Sequence, residues 1–247
     1  MYTLDNAVDS AGAPSVLFFG RKNCSNTDTV LRHLSECGFR VSYVLSEARG
    51  ESLPEDVKTW NGDYILCFRS LLFLPNSLTD KSKVAAINFH PGPPEYPGSG
   101  CINFALYDGC ESYGVTAHMM NEKIDNGEIL ECRRFRVHKD DDLISTLNKT
   151  HKELTNICIY FISQLLSDGQ DFLNKKRMAS KNIRWCGEAR KISELEELQE
   201  IAPSISESEL ERIIRATYVE EYPPKITLHG YEFRLTSDQK MVKSRYL

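Results

Sequence analysis

Short apolar runs alternate with amphipathic stretches in the first part of the chain. Residues 16–20 are continuously apolar and end in glycine, a pattern typical of a strand buried on both faces of a parallel sheet. Residues 27–37 carry apolar side chains at helical spacing, with Asn26 or Thr27 available as the N-cap, and residues 39–44 alternate as a second strand. This strand–helix–strand order predicts a βαβ unit and therefore a doubly wound α/β sheet.

The buried-strand pattern recurs twice before the chain becomes irregular. Residues 63–68 and 84–89 are predicted strands, whereas residues 90–100 hold four prolines and three glycines and cannot form a regular element. Beyond this segment we predict a helix at residues 101–109 and strands at residues 114–120 and 129–137.

The rest of the chain predicts one long helix followed by a smaller unit. Residues 141–166 place apolar side chains on one helical face, and the acidic run just before them suits a helix N-terminus. Residues 175–190 are basic and show no period. Ser206 begins a capping box for a second helix, and residues 226–235 alternate on both sides of a His-Gly step, which predicts a hairpin.

These elements define the expected architecture. The fold class is α/β, with a doubly wound, mostly parallel sheet and a small C-terminal module made of a helix plus a β-hairpin. We expect the catalytic, Rossmann-like domain at residues 1–170 and the small module at residues 171–247, because the composition changes near residue 170.

Composition and charge exclude several classes of protein. The 247 residues hold 30 Lys and Arg against 35 Asp and Glu, a net charge of −5 that argues against general nucleic-acid binding. No apolar run is long enough to cross a membrane, and residues 1–14 lack the features of a secretory signal. The eight cysteines form no CxxC pair, so we expect reduced thiols, a cytoplasmic protein and no metal site.

Two polar side chains stand out at the end of a predicted buried strand. Asn88 and His90 are two residues apart and therefore project to the same side of the strand. They lie at its carboxyl end, where open α/β sheets bind their ligands. A histidine can act as acid or base near neutral pH, and an asparagine amide can donate to a developing oxyanion. The pair suits the addition of a nucleophile to a carbonyl, although a lone histidine is more often structural.

A carboxylate in a later loop is a third candidate. Asp125 lies between two predicted strands, in an Asp-Asn-Gly sequence that is also typical of an ordinary solvated turn. The residues alone leave both interpretations open and make an enzyme plausible without naming a reaction.

The ordered set of motifs resembles the folate-dependent formyltransferases. Asn88-x-His90-Pro91-Gly92 is followed by Tyr96-Pro97-Gly98, then by the sequence Gly-Val-Thr-Ala-His at residues 114–118, and then by Ile124-Asp125-x-Gly127-x-Ile129. The family includes glycinamide ribonucleotide, methionyl-tRNA and nucleotide-sugar N-formyltransferases. The similarity runs from about residue 16 to residue 137.

The resemblance implies a reaction and roles for residues. The donor would be 10-formyltetrahydrofolate, the acceptor a primary amine, and the catalytic residues Asn88, His90 and Asp125. Asn88 and a protonated His90 would stabilise the oxyanion, and Asp125 would orient or charge the histidine. The folate-binding residues it implies are Phe68, Arg69, Ser70, Leu71, Leu74, Ile124 and Asn126. For the apolar members of that set, ordinary core packing is the alternative.

The choice of amine rests on the branch that the chain resembles. The Pro-rich turn and the C-terminal Ala-Thr-Tyr…Tyr-Pro-Pro sequence look like the nucleotide-sugar branch, which implies a dTDP-linked amino-dideoxy sugar destined for surface polysaccharide (O-antigen). Methionyl-tRNA or another amine remains the alternative. The first βα loop opens a helix N-terminus and carries cations, so it suits a pyrophosphate. The substrate-binding candidates are Arg21, Lys22, Asn23, Glu95, Tyr96, Gly98 and Tyr222, with Lys181, Arg184 and Arg190 as other phosphate partners. The apolar face of the hairpin predicts a homodimer.

Overall fold

A seven-stranded sheet organises the part of the chain that the computed structural model describes, residues 1–3 and 12–237. Its strands are β1 (Tyr2–Thr3), β2 (Ser15–Arg21), β3 (Arg40–Ser46), β4 (Gly62–Phe68), β5 (Ser82–His90), β6 (Ser112–Met119) and β7 (Ile129–Arg136). They lie in the order β1-β3-β2-β4-β5-β6-β7. The four strands β3, β2, β4 and β5 are parallel, and β1, β6 and β7 each pair antiparallel with a neighbour. The expected mostly parallel α/β sheet is confirmed.

Helices cover the two faces of this sheet unequally. The helices are α1 (Ser25–Glu36), α2 (Asn76–Thr79), α3 (Cys101–Tyr107), α4 (Leu143–Ser167), α5 (Gly169–Ala179), α6 (Ile192–Gln199) and α7 (Glu207–Thr217), with a 3₁₀ turn at Glu55–Thr59. One face packs against α1, α4 and α5 in the larger apolar cluster. Within residues 1–3 and 12–237, the other face packs against the 3₁₀ turn, α2 and loops.

Strand alternation sorts the side chains between these two faces. In β2, Val16 and Phe18 belong to the cluster under α1 and α4, whereas Leu17 and Phe19 belong to the opposite cluster. The continuous apolar run seen in the sequence is therefore a strand buried on both sides, as in other central parallel strands. All four of these side chains are fully buried.

The long helix and the hairpin follow their sequence signals closely. Asp142 caps α4 by accepting from the Ser145 amide at 2.9 Å, and Ser206 caps α7 by accepting from the Glu209 amide at 3.3 Å. The hairpin strands β8 (Lys225–Leu228) and β9 (Tyr231–Arg234) are joined by His229 and Gly230, whose φ values are +51° and +85°. Two positive φ values are the requirement of a type I′ turn.

Two local expectations were wrong, and two elements were missed. Residues 175–190 are not uniformly irregular, because α5 continues to Ala179 on the strength of two buried residues, Phe172 and Leu173. The N-cap of α1 is Cys24 rather than Asn26 or Thr27. The helix α6 and the two-residue strand β1 were not predicted.

Residues on both sides of the expected boundary at 170 share one core, since Phe172 and Leu173 pack with Leu165 and Phe161. The division into domains at residues 170 and 171 stays a prediction. None of the helices in the described residues has the length and apolar character needed to cross a bilayer. Each of the eight cysteines lies in the described part of the chain as a free thiol.

Candidate active site

The end of β5 presents Asn88 and His90 on the face of the sheet opposite α1 and α4. Ile87 and Phe89 point the other way and are buried against α4. His90 is the last residue of the strand, and the Pro-rich turn begins immediately after it. That turn is anchored from β6, where the Tyr113 hydroxyl donates to the Pro91 carbonyl oxygen at 2.8 Å. The two polar groups are thus held on a rigid strand end beside a fixed turn.

The loop between β6 and β7 brings Asp125 to the same place. Among residues 121–128 only Asp125 and Gly127 are buried, although the loop is otherwise exposed. A Cβ atom on Gly127 would overlap the carbonyl oxygen of Met119, so the loop can press against β6 only because this residue is glycine. Asp125 itself has a φ of +43°, a strained conformation for a residue other than glycine. The solvated-turn interpretation does not describe this loop.

Four polar groups surround the Asp125 carboxylate. Oδ2 lies 3.1 Å from His90 Nδ1 and accepts from the Gly98 amide at 2.9 Å. Oδ1 lies 3.2 Å from Asn88 Nδ2 and 3.3 Å from His118 Nε2. The three candidate catalytic side chains therefore meet in one buried cluster.

The surroundings of His90 favour the positively charged ring. Its Nε2 lies 3.0 Å from the Tyr96 carbonyl oxygen while its Nδ1 faces Asp125, so both ring nitrogens face oxygen acceptors. A neutral imidazole has only one N–H and would leave one of these contacts unsatisfied. Burial alone would lower the pKa of His90, but the Asp125 carboxylate outweighs it and raises that pKa.

The carboxylate is held in its ionised form for the complementary reason. Burial alone would raise the pKa of Asp125, whereas the charge of His90 and the close contacts with both histidines hold that pKa well below its usual range. The cluster is a buried ion pair of Asp125 and His90 with the Asn88 amide beside it. Such a site can orient a positive charge and an amide donor towards a developing oxyanion.

Two members of the cluster were missed by the sequence analysis. His118 donates from Nδ1 to the Met119 carbonyl oxygen at 2.9 Å and turns Nε2 towards Asn88 and Asp125. Trp185 packs edge to face against both imidazoles, with ring centroids 5.6 Å from His90 and 5.0 Å from His118. His118 lies in a motif already noted, but nothing in the spacing of Trp185 indicated that it reaches the site.

The implied folate-binding residues are placed unevenly. Phe68 is fully buried and stacks on Phe18 in the core, so it can reach the site only through its main chain. Leu74 is also buried. The Leu71 amide donates to Ser46 Oγ at 2.8 Å, and Ser70 Oγ lies 3.4 Å from that hydroxyl. Ile124 and Asn126 are exposed in the loop that carries Asp125.

A cavity of about 890 Å³ opens at the carboxyl ends of β2 and β4. The residues that line it are Arg21, Lys22, Asn23, Cys24, Ser25, Asn26, Thr29, Glu47, Arg69, Asn148, His151, Lys152, Thr155 and Asn156. Three of the substrate-binding candidates therefore lie together at the N-terminus of α1. Arg69, expected above at the folate, lines this cavity and donates to Cys24 Sγ at 3.1 Å, and its role towards the folate stays a prediction. The contribution of α4 to its wall was missed.

The register of the sheet relates this cavity to the catalytic cluster. Phe19 pairs with Cys67, which pairs with Asn88, so Arg21 and His90 terminate the same row. Two inter-strand spacings separate these ends, a distance of roughly 10 Å. The cavity and the cluster therefore open on the same edge of the sheet.

The other substrate-binding candidates lie elsewhere. Gly98 touches Asp125 through its amide, and Tyr96 touches His90 through its main chain while its ring packs against Tyr113. Glu95 forms an exposed ion pair with Arg134. Tyr222 is 74% exposed and lines a separate cavity of about 530 Å³ formed with α6 and the hairpin.

The basic residues named as other phosphate partners do not line the cavity at β2. Arg190 lies over the ring of Phe104 at 4.1 Å and pairs with Glu194, and Arg184 donates to a neighbouring carbonyl oxygen. Lys181 is exposed. Residues 1–3 and 12–237 contain no group of three or more side chains suited to hold a metal ion.

Comparison with known proteins places this geometry in context. A family model described as Formyl transferase matches residues 16–162. Methionyl-tRNA formyltransferase from Lachnospira eligens is 35% identical over 91 residues, which cover 36% of this chain and 29% of that protein. The matched segments span less than half the length of the curated relatives.

Solved structures share the fold across most of the chain. A sugar N-formyltransferase from Shewanella is 15% identical with a TM-score of 0.68, covering 90% of this chain and 96% of that one. An N-formyltransferase from Helicobacter canadensis, solved with folinic acid and dTDP-3-aminofucose, is 14% identical with a TM-score of 0.66, covering 87% of this chain and 84% of that one.

Proposed function

Because the chain belongs to the formyl transferase family, we propose that it transfers a formyl group from 10-formyltetrahydrofolate to the amino group of a dTDP-linked amino-dideoxy sugar. An acceptor such as dTDP-4-amino-4,6-dideoxyglucose would yield a formamido sugar for surface polysaccharide, the O-antigen. The observation that carries this proposal is the common sheet edge of the Asn88–His90–Asp125 cluster and the cation-lined cavity.

The chemistry of the cluster suits acyl transfer to an amine. When bound, formylfolate supplies the activated formyl group. The Asn88 amide and the charged His90 ring stabilise the negative charge that develops on a carbonyl oxygen under attack. To do so, one N–H of His90 must give up its present acceptor and donate to the reacting oxygen. We assign this role to Nε2, which would leave the Tyr96 carbonyl oxygen while Nδ1 stays paired with Asp125. Asp125 keeps the ring charged and oriented throughout.

The face of the sheet opposite α1 and α4 fits a flat, partly apolar donor. Leu72 and Met120 are only partly buried there and pack on the cluster that contains Cys67 and Leu74. Ile124, in the loop that carries Asp125, is 59% exposed. We assign the pterin to the space beside these apolar side chains, with main-chain groups of residues 68–75 available for its polar edge. The side chain of Phe68 takes no part.

The cavity at β2 suits the diphosphate of a nucleotide sugar. It combines the N-terminus of α1, a 12-residue helix, with Arg21, Lys22, Arg69 and Lys152. Backbone amides at a helix N-terminus and nearby cations together favour phosphate groups. The separation of roughly 10 Å between strand ends is one that a hexose ring and two reaching side chains can bridge. The sugar amine would then lie at the catalytic cluster.

Methionyl-tRNA is the alternative acceptor, and a specific observation favours it. The curated relatives matched by sequence are methionyl-tRNA formyltransferases. The net charge of −5 weakens this alternative, because tRNA binding depends on a positive surface.

We also propose a homodimer built on the C-terminal hairpin. Tyr231 is 73% exposed and Phe233 is 54% exposed on one face of a two-stranded hairpin, and Leu228 is partly exposed beside them. Leu235, the third residue of the expected face, lies just beyond β9. A second subunit would remove this apolar surface from water. We expect the enzyme to act in the cytoplasm, where its thiols stay reduced.

A screen of amines tests the proposed function. The purified protein is incubated with 10-formyltetrahydrofolate and dTDP-, UDP- or GDP-linked amino sugars, with methionyl-tRNA, or with no amine. Products are identified by the mass of one added formyl group. We expect a formamide only with a nucleotide-linked amino sugar. Formylation of methionyl-tRNA alone, or release of formate without any amine, would overturn the sugar assignment.

A further inference from the structure

A segment after α5 lies across both loops that build the catalytic cluster. The Cys186 amide donates to the Pro94 carbonyl oxygen at 2.8 Å, and the Arg190 amide donates to the Pro97 carbonyl oxygen at 3.1 Å. Both acceptors belong to the Pro-rich turn, whose Tyr96 carbonyl oxygen faces His90. Residues 185–190, which we call the strap, therefore fix the turn from outside.

The strap also holds the loop of Asp125 through a single side chain. Trp185 donates from Nε1 to the Gly127 carbonyl oxygen at 2.7 Å, two residues beyond Asp125. The same indole ring packs edge to face on His90 and His118. One side chain thus contacts the loop that supplies the carboxylate and both imidazoles that face it.

We propose that Trp185 is a positioning residue for formyl transfer, holding the Asp125 loop against His90 and keeping water from their ion pair. This inference rests on the proposed function, since it assigns Trp185 a role in that reaction. Trp185 touches neither the cation-lined cavity nor any of its wall residues among the contacts described.

Trp185 affects both the hydration of the His90–Asp125 pair and the distance between its two side chains. His90 is 3% exposed and Asp125 is 9% exposed, and the indole covers one side of this pair. An ion pair weakens steeply when water enters, because the effective dielectric constant rises. Displacing a catalytic group by about 1 Å costs on the order of a hundredfold in rate. Loss of the Trp185 contact should therefore lower kcat more than it changes acceptor binding.

Kinetics of three variants separate positioning from simple stability. Trp185→Phe keeps an aromatic ring and loses the N–H, and we expect kcat to fall about threefold to tenfold. Trp185→Ala should lower kcat on the order of a hundredfold. Trp60→Phe is the matched control, because Trp60 lies just before the amino-terminal end of β4, whereas the catalytic cluster lies at the carboxyl ends of the strands. The KM for the nucleotide sugar should stay within about twofold in all three. A kcat for both Trp185 variants within twofold of the control would overturn the proposal.

Fluorescence tests the contact without any substrate. The chain has two tryptophans, so Trp60→Phe leaves Trp185 as the single emitter. A protonated imidazole in contact with an indole quenches its emission, so the intensity should rise as pH increases through the pKa of His90. His118 also contacts the indole, with ring centroids 5.0 Å apart. The transition should therefore be lost in the Trp60→Phe, His90→Asn double variant and kept in the Trp60→Phe, His118→Asn double variant. A titration that is unchanged without His90, or absent with it, would contradict the proposal. Failure of wild-type protein to formylate any amine would instead refute the proposed function, leaving the fluorescence result intact.

Discussion

Replacing Asp125 by asparagine is the most informative single change in the cluster. The carboxylate oxygens face three donors, from Asn88, His90 and the Gly98 amide, and Oδ1 also lies 3.3 Å from His118 Nε2. An asparagine of the same shape has one oxygen and one NH₂ group, so at least one of these donors would face another donor. The negative charge that holds His90 in its protonated form would also be gone.

The size of the effect follows from the burial of His90. Without Asp125, burial remains as the force that lowers the pKa of His90, so the ring becomes neutral near pH 7. Removing one preorganised donor to an oxyanion costs about 10²–10³ in kcat. We therefore expect Asp125→Asn to lower kcat by about 10²–10³ at neutral pH. Its residual activity should rise as the pH falls, because protonation restores the charge on the ring.

The assay measures formyl transfer to the best acceptor from the amine screen, at several pH values. Nucleotide affinity should be unchanged, since Asp125 does not line the cavity at β2. Asp140→Asn, at an exposed position, is the matched control. A thermal melt checks that the variant is folded at the assay temperature, because breaking a buried pair costs about 3–5 kcal/mol. A kcat within tenfold of wild type, with unchanged nucleotide affinity, would refute the reasoning.

Three further predictions follow from charges and exposed surface. The pKa of His90 is raised, so its contribution to the free energy of unfolding is complete below pH 6.5 and is lost as the pH rises through the raised pKa. The pKa of Asp125 is lowered, so its contribution is present above pH 3.8 and is lost as the pH falls through the lowered pKa. The free energy of unfolding of His90→Asn, measured by urea denaturation, should therefore differ most from wild type between pH 4 and 6.5, and an equal difference at all pH values would contradict the ion pair. Burial and the nearby arginines lower the pKa of His151 to about 4, so a bound diphosphate should raise that pKa. The complex should then take up protons near pH 5, which calorimetry in buffers of different ionisation enthalpy detects. This proton uptake should be absent in His151→Gln. Replacing Tyr231 and Phe233 by serine should convert a dimer into a monomer in sedimentation velocity without changing kcat, and an unchanged sedimentation coefficient would exclude the hairpin as the interface.

Most of the sheet could be predicted from the sequence, because hydrophobic periodicity and turn-forming residues are local properties of the chain. A run such as residues 16–20 can be buried on both faces only in a central strand, and it forms β2. The same local logic located Asn88 and His90 at a strand end. α5 was harder, since only two apolar residues, Phe172 and Leu173, fix its buried side.

The parts that escaped prediction depend on contacts between distant segments. Trp185 reaches the cluster because the strap pairs with the Pro-rich turn. These two segments lie about ninety residues apart, so no local pattern in the sequence indicates their contact. Arg69 lines the cavity although it lies in the segment expected to bind folate, and its backbone has a φ of +57°. The role of α4 in the cavity wall likewise depends on how two helices pack, which no single motif encodes.

A buried imidazolium at His90 is the central feature of the site, and ¹⁵N NMR of the imidazole nitrogens tests it most directly. At pH 7.5 both ring nitrogens of His90 should show the chemical shifts of protonated imidazole, and in Asp125→Asn one of them should move to the unprotonated range. A wild-type spectrum with one unprotonated His90 nitrogen at that pH would contradict the proposed electrostatics of the site.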